Sequence, residues 1–179
     1  GLGMPDRDYY LDTSDKGVAI QAKYKEYLTF LLGEAGYADP AAMAGTVYAF
    51  EDTIARTVAW DRTVRRNRDL TYNLLTADEL SAISGKVPVT AMLTAIGIEK
   101  SPGFVVSLMP PTPEEIAKFK LDEATQAKIG SGLPGMFALL GETPVETLQA
   151  WMIKEFLSGN AAVLPSRFDA ANFEFFGKT

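Results

Sequence analysis

DPAAMAGTVYAFEDTIARTVAWDRTVRRNR, running from Asp39 to Arg68, is the stretch that decides the fold class. Met43, Val47, Phe50, Ile54 and Val58 recur at spacings of four, three, four and four, which places them on one stripe of a 3.6-residue helix. Tyr48, Ala55 and Ala59 widen that stripe. Asp39 is placed to cap the helix, and Pro40 takes the first turn, where a missing N–H costs nothing. Glu51 and Asp52 lie in the front half, with Asp52 expected to face water. Arg56, Arg62, Arg65, Arg66 and Arg68 load the rear, which suits the helix dipole. A helix from Pro40 to Arg66 would be about 40 Å long. A helix of that length with one apolar side needs other elements packed against it. The expected fold is therefore all-α, an irregular multi-helix bundle around one long central helix, with little or no sheet.

The flanking sequence supplies those elements. Gly1–Asp12 reads as an extended lead-in. Ser14 or Thr13 caps a helix to about Leu32, with Ile20, Tyr24, Tyr27, Leu28 and Leu31 inside and Gly33 and Gly36 ending it. Capping boxes are expected at Thr76–Glu79, Thr112–Glu115 and Thr143–Glu146. The third opens a helix whose packed face is expected to be Val145, Leu148, Met152 and Phe156. Short helices are expected at Val89–Ile96, from Asp122 to Ile129, at Met136–Leu140 and from Asp169 to Gly177. Gly103–Met109 is the one convincing extended run, and a single strand cannot form a sheet core, so it is expected to cross the interior unpaired.

Composition excludes much chemistry. The chain of 179 residues is 47% hydrophobic and 11% aromatic, long enough to bury a sizeable core. Its net charge of −6 disfavours a nucleic-acid partner. No apolar run reaches the roughly 20 residues of a membrane span. There is no Cys and no His, which rules out thiol catalysis, disulfides, Ser–His–Asp triads and H-E-x-x-H zinc sites. Missing Cys is compatible with both a reducing cytosol and a disulfide-free exported protein. The chain starts Gly1-Leu2-Gly3 without an initiator Met, so a piece of a longer protein is expected.

Three groups remain as candidate sites, each with a plain structural alternative. Gly130-Ser131-Gly132-Leu133-Pro134-Gly135 matches G-x-G-x-x-G, but a helix is expected before it and Pro134 lies inside it, which favours a turn between helices over a dinucleotide site. Arg62, Arg65, Arg66 and Arg68 form either an anion site or a solvated helix end, with Asp61 and Asp69 offsetting part of the charge. Asp6 and Asp8 flank Arg7; an Asp–Arg link to another segment is favoured over paired-carboxylate chemistry. Phe173, Phe175 and Phe176 are expected in the core or at an interface. None of these is assigned as a catalytic, cofactor-binding or metal-binding site.

Three stretches resemble a known family: Gly1-Leu2-Gly3-Met4-Pro5-Asp6-Arg7-Asp8-Tyr9-Tyr10-Leu11; Arg68-Asp69-Leu70-Thr71-Tyr72-Asn73 with Thr76 and Glu79-Leu80; and Thr143-Pro144-Val145-Glu146-Thr147 with Phe173-Glu174-Phe175-Phe176-Gly177-Lys178-Thr179. In this order they resemble the neprilysin and endothelin-converting-enzyme family of zinc metallopeptidases, over nearly the whole chain. Two departures stand out: Leu74 replaces the usual Pro after T-Y-N, and the region from Leu108 to Leu140 looks longer than its counterpart. The resemblance implies two largely helical lobes around a cavity, with the zinc ligands and the substrate-binding motif C-terminal to the G-K-T segment. No catalytic or metal-binding residue carries over to any position here.

Residues 1–179 are thus expected to form one helical domain, a fragment of the non-catalytic lobe that caps the cavity and limits access to peptides. It is expected to be inactive alone, with zinc in the parent enzyme only. Its implied partners are the catalytic lobe of the same polypeptide and that enzyme's peptide substrates. The implied setting is a bacterium that exports the protein to the periplasm or cell surface, with the cytoplasm as the alternative. Two other readings stand beside this one: a free-standing helical interaction module related to that lobe, and an enzyme in its own right, which the missing His and Cys oppose.

Overall fold

Helix starts follow the capping chemistry. The computed structural model describes residues 2–178. After a single turn α1 (Asp8–Leu11), Ser14 caps α2 (Asp15–Glu34), its hydroxyl oxygen accepting from the Gly17 N–H at 3.1 Å. Asp39 caps α3 (Pro40–Thr53) through the Ala42 N–H at 3.0 Å, with Pro40 in the first turn. Asp61 and Asn67 cap the single turns α4 (Arg62–Arg65) and α5 (Arg68–Thr71). Strand β1 (Asn73–Leu75) leads into α6 (Ala77–Ala82), where Thr76 and Glu79 form a reciprocal capping box. Then come α7 (Val89–Ala95), strand β2 (Phe104–Val106) and α8 (Pro113–Lys118), which opens on the Thr112–Glu115 box. Asp122 caps α9 (Glu123–Gln126), and α10 (Gly132–Glu142), α11 (Val145–Gly159) and α12 (Ser166–Asn172) follow. Each box satisfies two N–H groups that have no partner within the helix. The fold is predominantly all-α.

The central helix is shorter than its periodicity predicts. It stays α-helical to Thr53, widens into a π turn over Ile54–Val58, and stops before Trp60. Trp60 turns into a separate apolar cluster with Val64 and Leu70. The Asp61 N–H donates to the Lys128 carbonyl, and the Asp61 carboxylate caps the next turn. These partners outcompete continued helix. The stripe itself holds: Val47, Phe50, Ile54 and Val58 are buried and Met43 half-buried, but Glu51 is buried with them and Asp52 is half-buried instead of facing water.

Other boundaries move too. Asp8–Leu11 forms a helical turn within the expected extended lead-in. The expected unpaired crossing segment is paired: Phe104–Val106 runs antiparallel to Asn73–Leu75, with Leu74 opposite Val105. The Asn73 side chain explains the ribbon, since its amide donates to the Leu70 carbonyl at 3.2 Å and the Val106 carbonyl at 3.0 Å. The last helix starts at Ser166, earlier than Asp169, and passes into a π turn over Phe173–Gly177.

The chain forms two compact units, the described part of Gly1–Ala55 with Thr143–Thr179, and Arg56–Glu142. In the first, α2 packs along α3, and α11 packs on both, with α1 and α12 against α2. Its core joins Tyr24, Leu28 and Leu31 of α2 to Val47, Ala150, Phe168 and Phe175. The second unit has two smaller clusters, one around Trp60, the other around Leu80, Val89 and Leu93, with Phe104 and Val106 of the ribbon half-buried against it.

In the first unit, α11 turns most of its expected face outward, with Leu148 half-buried. Val145, Met152 and Phe156 are 63%, 65% and 64% exposed, while Thr147, Ala150 and Lys154 are buried. Two contacts set this rotation: the Trp151 ring meets Phe50 edge-on at 5.3 Å, and Lys154 is drawn to Glu51. Pro144, not Thr143, occupies the cap position, and no side chain caps the helix there, so the expected third capping box is not formed at this end.

The packing sets an unequal cost of truncation. Phe50→Ala should destabilise the chain by about 3–5 kcal/mol, because a cavity remains between α3 and Trp151. Met152→Ala, on the outward face, should change stability by no more than about 0.5 kcal/mol. Urea unfolding of the two variants measures the difference.

Candidate functional site

The glycine stretch connects two helices by a turn, as its flanks suggest, although α10 already starts at Gly132 and holds Pro134 in its first turn. Two of its backbone donors bond distant carbonyls: the Ser131 N–H donates to that of Thr57 at 2.9 Å, and the Leu133 N–H to that of Leu108 at 2.7 Å. The glycines are needed for close approach. A Cβ at Gly130 would lie 2.4 Å from the Val58 carbonyl oxygen, and one at Gly132, where φ is +60°, would lie 2.2 Å from that of Leu108. A phosphate would have to displace these backbone bonds. Arg62 and Arg65 of α4, Arg66 just after it and Arg68 of α5 are all exposed. Arg7 lies 3.8 Å from its neighbour Asp8, whose side chain is 54% exposed.

What the fold does bring together is a buried polar junction in the first unit. Glu51 of α3 is wholly buried. One of its carboxylate oxygens, Oε2, accepts from the Tyr10 hydroxyl at 2.8 Å and the Tyr24 hydroxyl at 2.7 Å. The other, Oε1, accepts a short bond from the Lys154 ammonium of α11. Lys154 also donates to Glu155 Oε1 at 2.8 Å, and that carboxylate reaches solvent. The Tyr10 hydroxyl oxygen in turn accepts from the Gly3 and Met4 N–H groups at 3.2 and 3.1 Å. Four segments therefore meet on one carboxylate: the N-terminal stretch, α2, α3 and α11.

Local sequence explains the geometry. Gly3 must lack a side chain, because a Cβ there would lie 1.7 Å from the Tyr24 hydroxyl. Tyr10 is carried on α1, and its ring packs on Tyr24 and Tyr48, 6.4 and 5.6 Å between centroids. Phe175 closes the far side, 5.3 Å from Tyr24 and stacked on Tyr27 at 5.7 Å. Burial, reinforced by the Glu51 charge, pushes both the Tyr10 and the Tyr24 hydroxyl well above the ordinary tyrosine value of 10.0. The N–H bonds from Met4 and Gly3 oppose this for Tyr10 only in part. Both tyrosines are held neutral, as donors. Glu51 and Lys154 are buried and the two tyrosines are held neutral, so the junction ties these segments together.

Sequence reasoning assigned Glu51 to the helix dipole and passed over Lys154. A signal was present for Glu51, which lies four residues after Val47 and seven before Val58, on the apolar stripe, where a charge calls for a buried partner. Lys154 lies opposite the apolar stripe of its own helix, so only the tertiary structure reveals it as that partner.

Zinc does not fit these residues. A zinc site draws three or four ligands from Cys, His and carboxylates. The sequence has no Cys or His, and among the described residues no group of three candidate ligands gathers closely enough. An open groove of about 290 Å³ beside Tyr27, Phe30 and Phe175 carries Lys23, Glu26 and Glu174 on its rim, charges of both signs.

Removing one member of the pair leaves a buried charge without its partner. Lys154→Met should cost about 3–5 kcal/mol, and adding Glu51→Leu should recover most of that loss. Urea unfolding of both variants reads this out. A second expectation concerns high pH. A hydroxyl whose folded pKa is raised contributes stability that is present below the unfolded value near 10 and is lost as pH climbs towards the folded value. Absorbance titration should show Tyr10 and Tyr24 silent until alkaline unfolding, with stability falling above about pH 10.

The family model for the N-terminal region of peptidase family M13 matches residues 1–179. Two solved structures of the Mycobacterium tuberculosis zinc metalloprotease Zmp1 are similar in fold. One, in complex with an inhibitor, aligns with a TM-score of 0.76 at 23% identity, covering 99% of this chain and 24% of that one. The other, a cryo-electron microscopy structure in an open state, aligns with a TM-score of 0.75 at 24% identity, covering 99% of this chain and 25% of that one. The chain thus spans about a quarter of the length of these relatives. No curated protein matches it.

Proposed function

The chain belongs to peptidase family M13, and from that premise we propose that it is a non-catalytic helical part of a zinc-dependent endopeptidase or oligopeptidase, one that caps the substrate cavity and limits access to peptides. The observation that carries this reading is the pairing of a family match over residues 1–179 with a sequence that has no His and no Cys. The whole of 1–179 is taken as one functional piece of the non-catalytic lobe, with no catalytic, cofactor-binding or metal-binding residue of its own. Zinc belongs to the rest of the polypeptide, as do the groups that act on the peptide bond. The partner is the catalytic lobe of the same chain, and the substrates are peptides.

Rigidity suits such a role. A cavity wall must hold its shape while substrate passes. The Glu51 junction ties four segments with charge-assisted bonds that strengthen in a dry interior. We place the protein in a bacterium, exported to the periplasm or cell surface, with the cytoplasm as the alternative. No helix among the described residues is long and apolar enough to cross a membrane.

The test compares the natural polypeptide that contains this chain with the chain alone. The longer protein should cleave short fluorogenic peptides, lose that activity to a chelator, and spare folded proteins. The isolated chain should show no cleavage and retain no zinc after dialysis. Zinc-dependent cleavage by the isolated chain, or a natural polypeptide without peptidase activity, would overturn the reading; the second result would favour a free-standing interaction module.

A further inference from the structure

We propose that the outward face of α11, formed by Val145, Met152 and Phe156, is a docking surface for the remainder of the M13 polypeptide. This rests on the reading above, and it names the surface that the partner covers. The three residues are seven and four apart, which puts them on one stripe of the helix. The stripe is about 16 Å long. Each of the three is more than 60% exposed, and Ile153 beside them is 37% exposed. The opposite side of the helix packs Ala150 and Trp151 into the core and buries Lys154, so the outward stripe is a second apolar side. An apolar stripe left outside while a cation goes inside is explained when both sides of the helix are covered.

Two observations identify the occupant. The first is length: in the two similar metalloprotease structures, about three quarters of the chain lies outside the matched part. The second is where the family resemblance falls. Of its stretches, the one around Met4 and Tyr10 has those side chains buried within this chain. The stretch around Val145 leaves that side chain 63% exposed, and in the one around Phe173 that side chain is 62% exposed while Phe175 is buried. Features shared with a family of long polypeptides, yet unpacked here, are met by a part of the polypeptide that such proteins have in common. Contiguous exposed apolar surface on a soluble chain marks an interaction site.

The test uses the full polypeptide and the double substitution Met152→Glu with Phe156→Glu. A charge forced into a covered apolar surface is costly, whereas one added to a solvated face is not. The double variant should lower the melting temperature of the full polypeptide by about 5 °C or more, and Phe156→Leu, which keeps the apolar bulk, should stay near wild type. The same double substitution in the 179-residue chain should leave its melt unchanged, which shows that the first unit still folds. An unmoved melt of the full polypeptide overturns the inference. If in that case the isolated chain sediments as a dimer that the double variant dissociates, the occupant is a second copy. Peptidase activity of the wild-type full polypeptide is read separately, so a failure of the functional reading is distinguishable from a failure of this one.

Discussion

One carboxylate organises the first unit. Glu51 is wholly buried, and the cost of removing its charge from water is met by a lysine and two tyrosine hydroxyls on its two oxygens. In a low-dielectric interior such a cluster is strong when complete and destabilising when any member is missing. That asymmetry fixes more than Glu51. It sets the rotation of α11, because Lys154 must point inward. It holds the N-terminal stretch, because Tyr10 must reach α3 while accepting from two backbone N–H groups. It leaves no room for a side chain at Gly3. The exposed stripe on α11 is the other side of the same rotation.

The second unit is held differently. Its helices are short, and several begin on a side-chain cap. Its long-range order comes from two small apolar clusters and from backbone meeting backbone. The loop before α10 lies against the carbonyls of Thr57, Val58 and Leu108, with glycine at the points of closest approach. The two-stranded ribbon is tied by the Asn73 amide as well as by its own ladder. A glycine-rich stretch that resembles a nucleotide loop in sequence serves here as a crossing point between segments.

The family stretches gain a physical meaning from these contacts. The G-L-G-M-P-D-R-D-Y-Y stretch delivers Tyr10 and a side-chain-free Gly3 to the buried carboxylate. T-Y-N supplies the asparagine that locks the ribbon to the preceding turn. F-E-F-F-G places Phe175 against Tyr24 and Tyr27, where it covers the junction. In each case the distinctive residue is the one whose contact is made far along the chain.

Local physics was legible in the sequence. Periodicity marked the buried stripe of α3 and the inner face of α2, and the caps at Ser14, Asp39, Thr76, Thr112 and Asp122 are formed as their residue types require. Absence of His and Cys excluded thiol catalysis, Ser–His–Asp triads and H-E-x-x-H sites from this sequence, and the ordered stretches led to the family. Each of these depends on neighbours within a few residues or on composition. Three features depended on partners distant in sequence, and only the tertiary structure decided them. The central helix ends at Val58 because Trp60 and Asp61 find partners at Val64, Leu70 and Lys128. Phe104–Val106 is a strand because Asn73–Leu75 lies beside it. The face of α11 is set by Phe50 and Glu51, about a hundred residues earlier, which draw Trp151 and Lys154 inside.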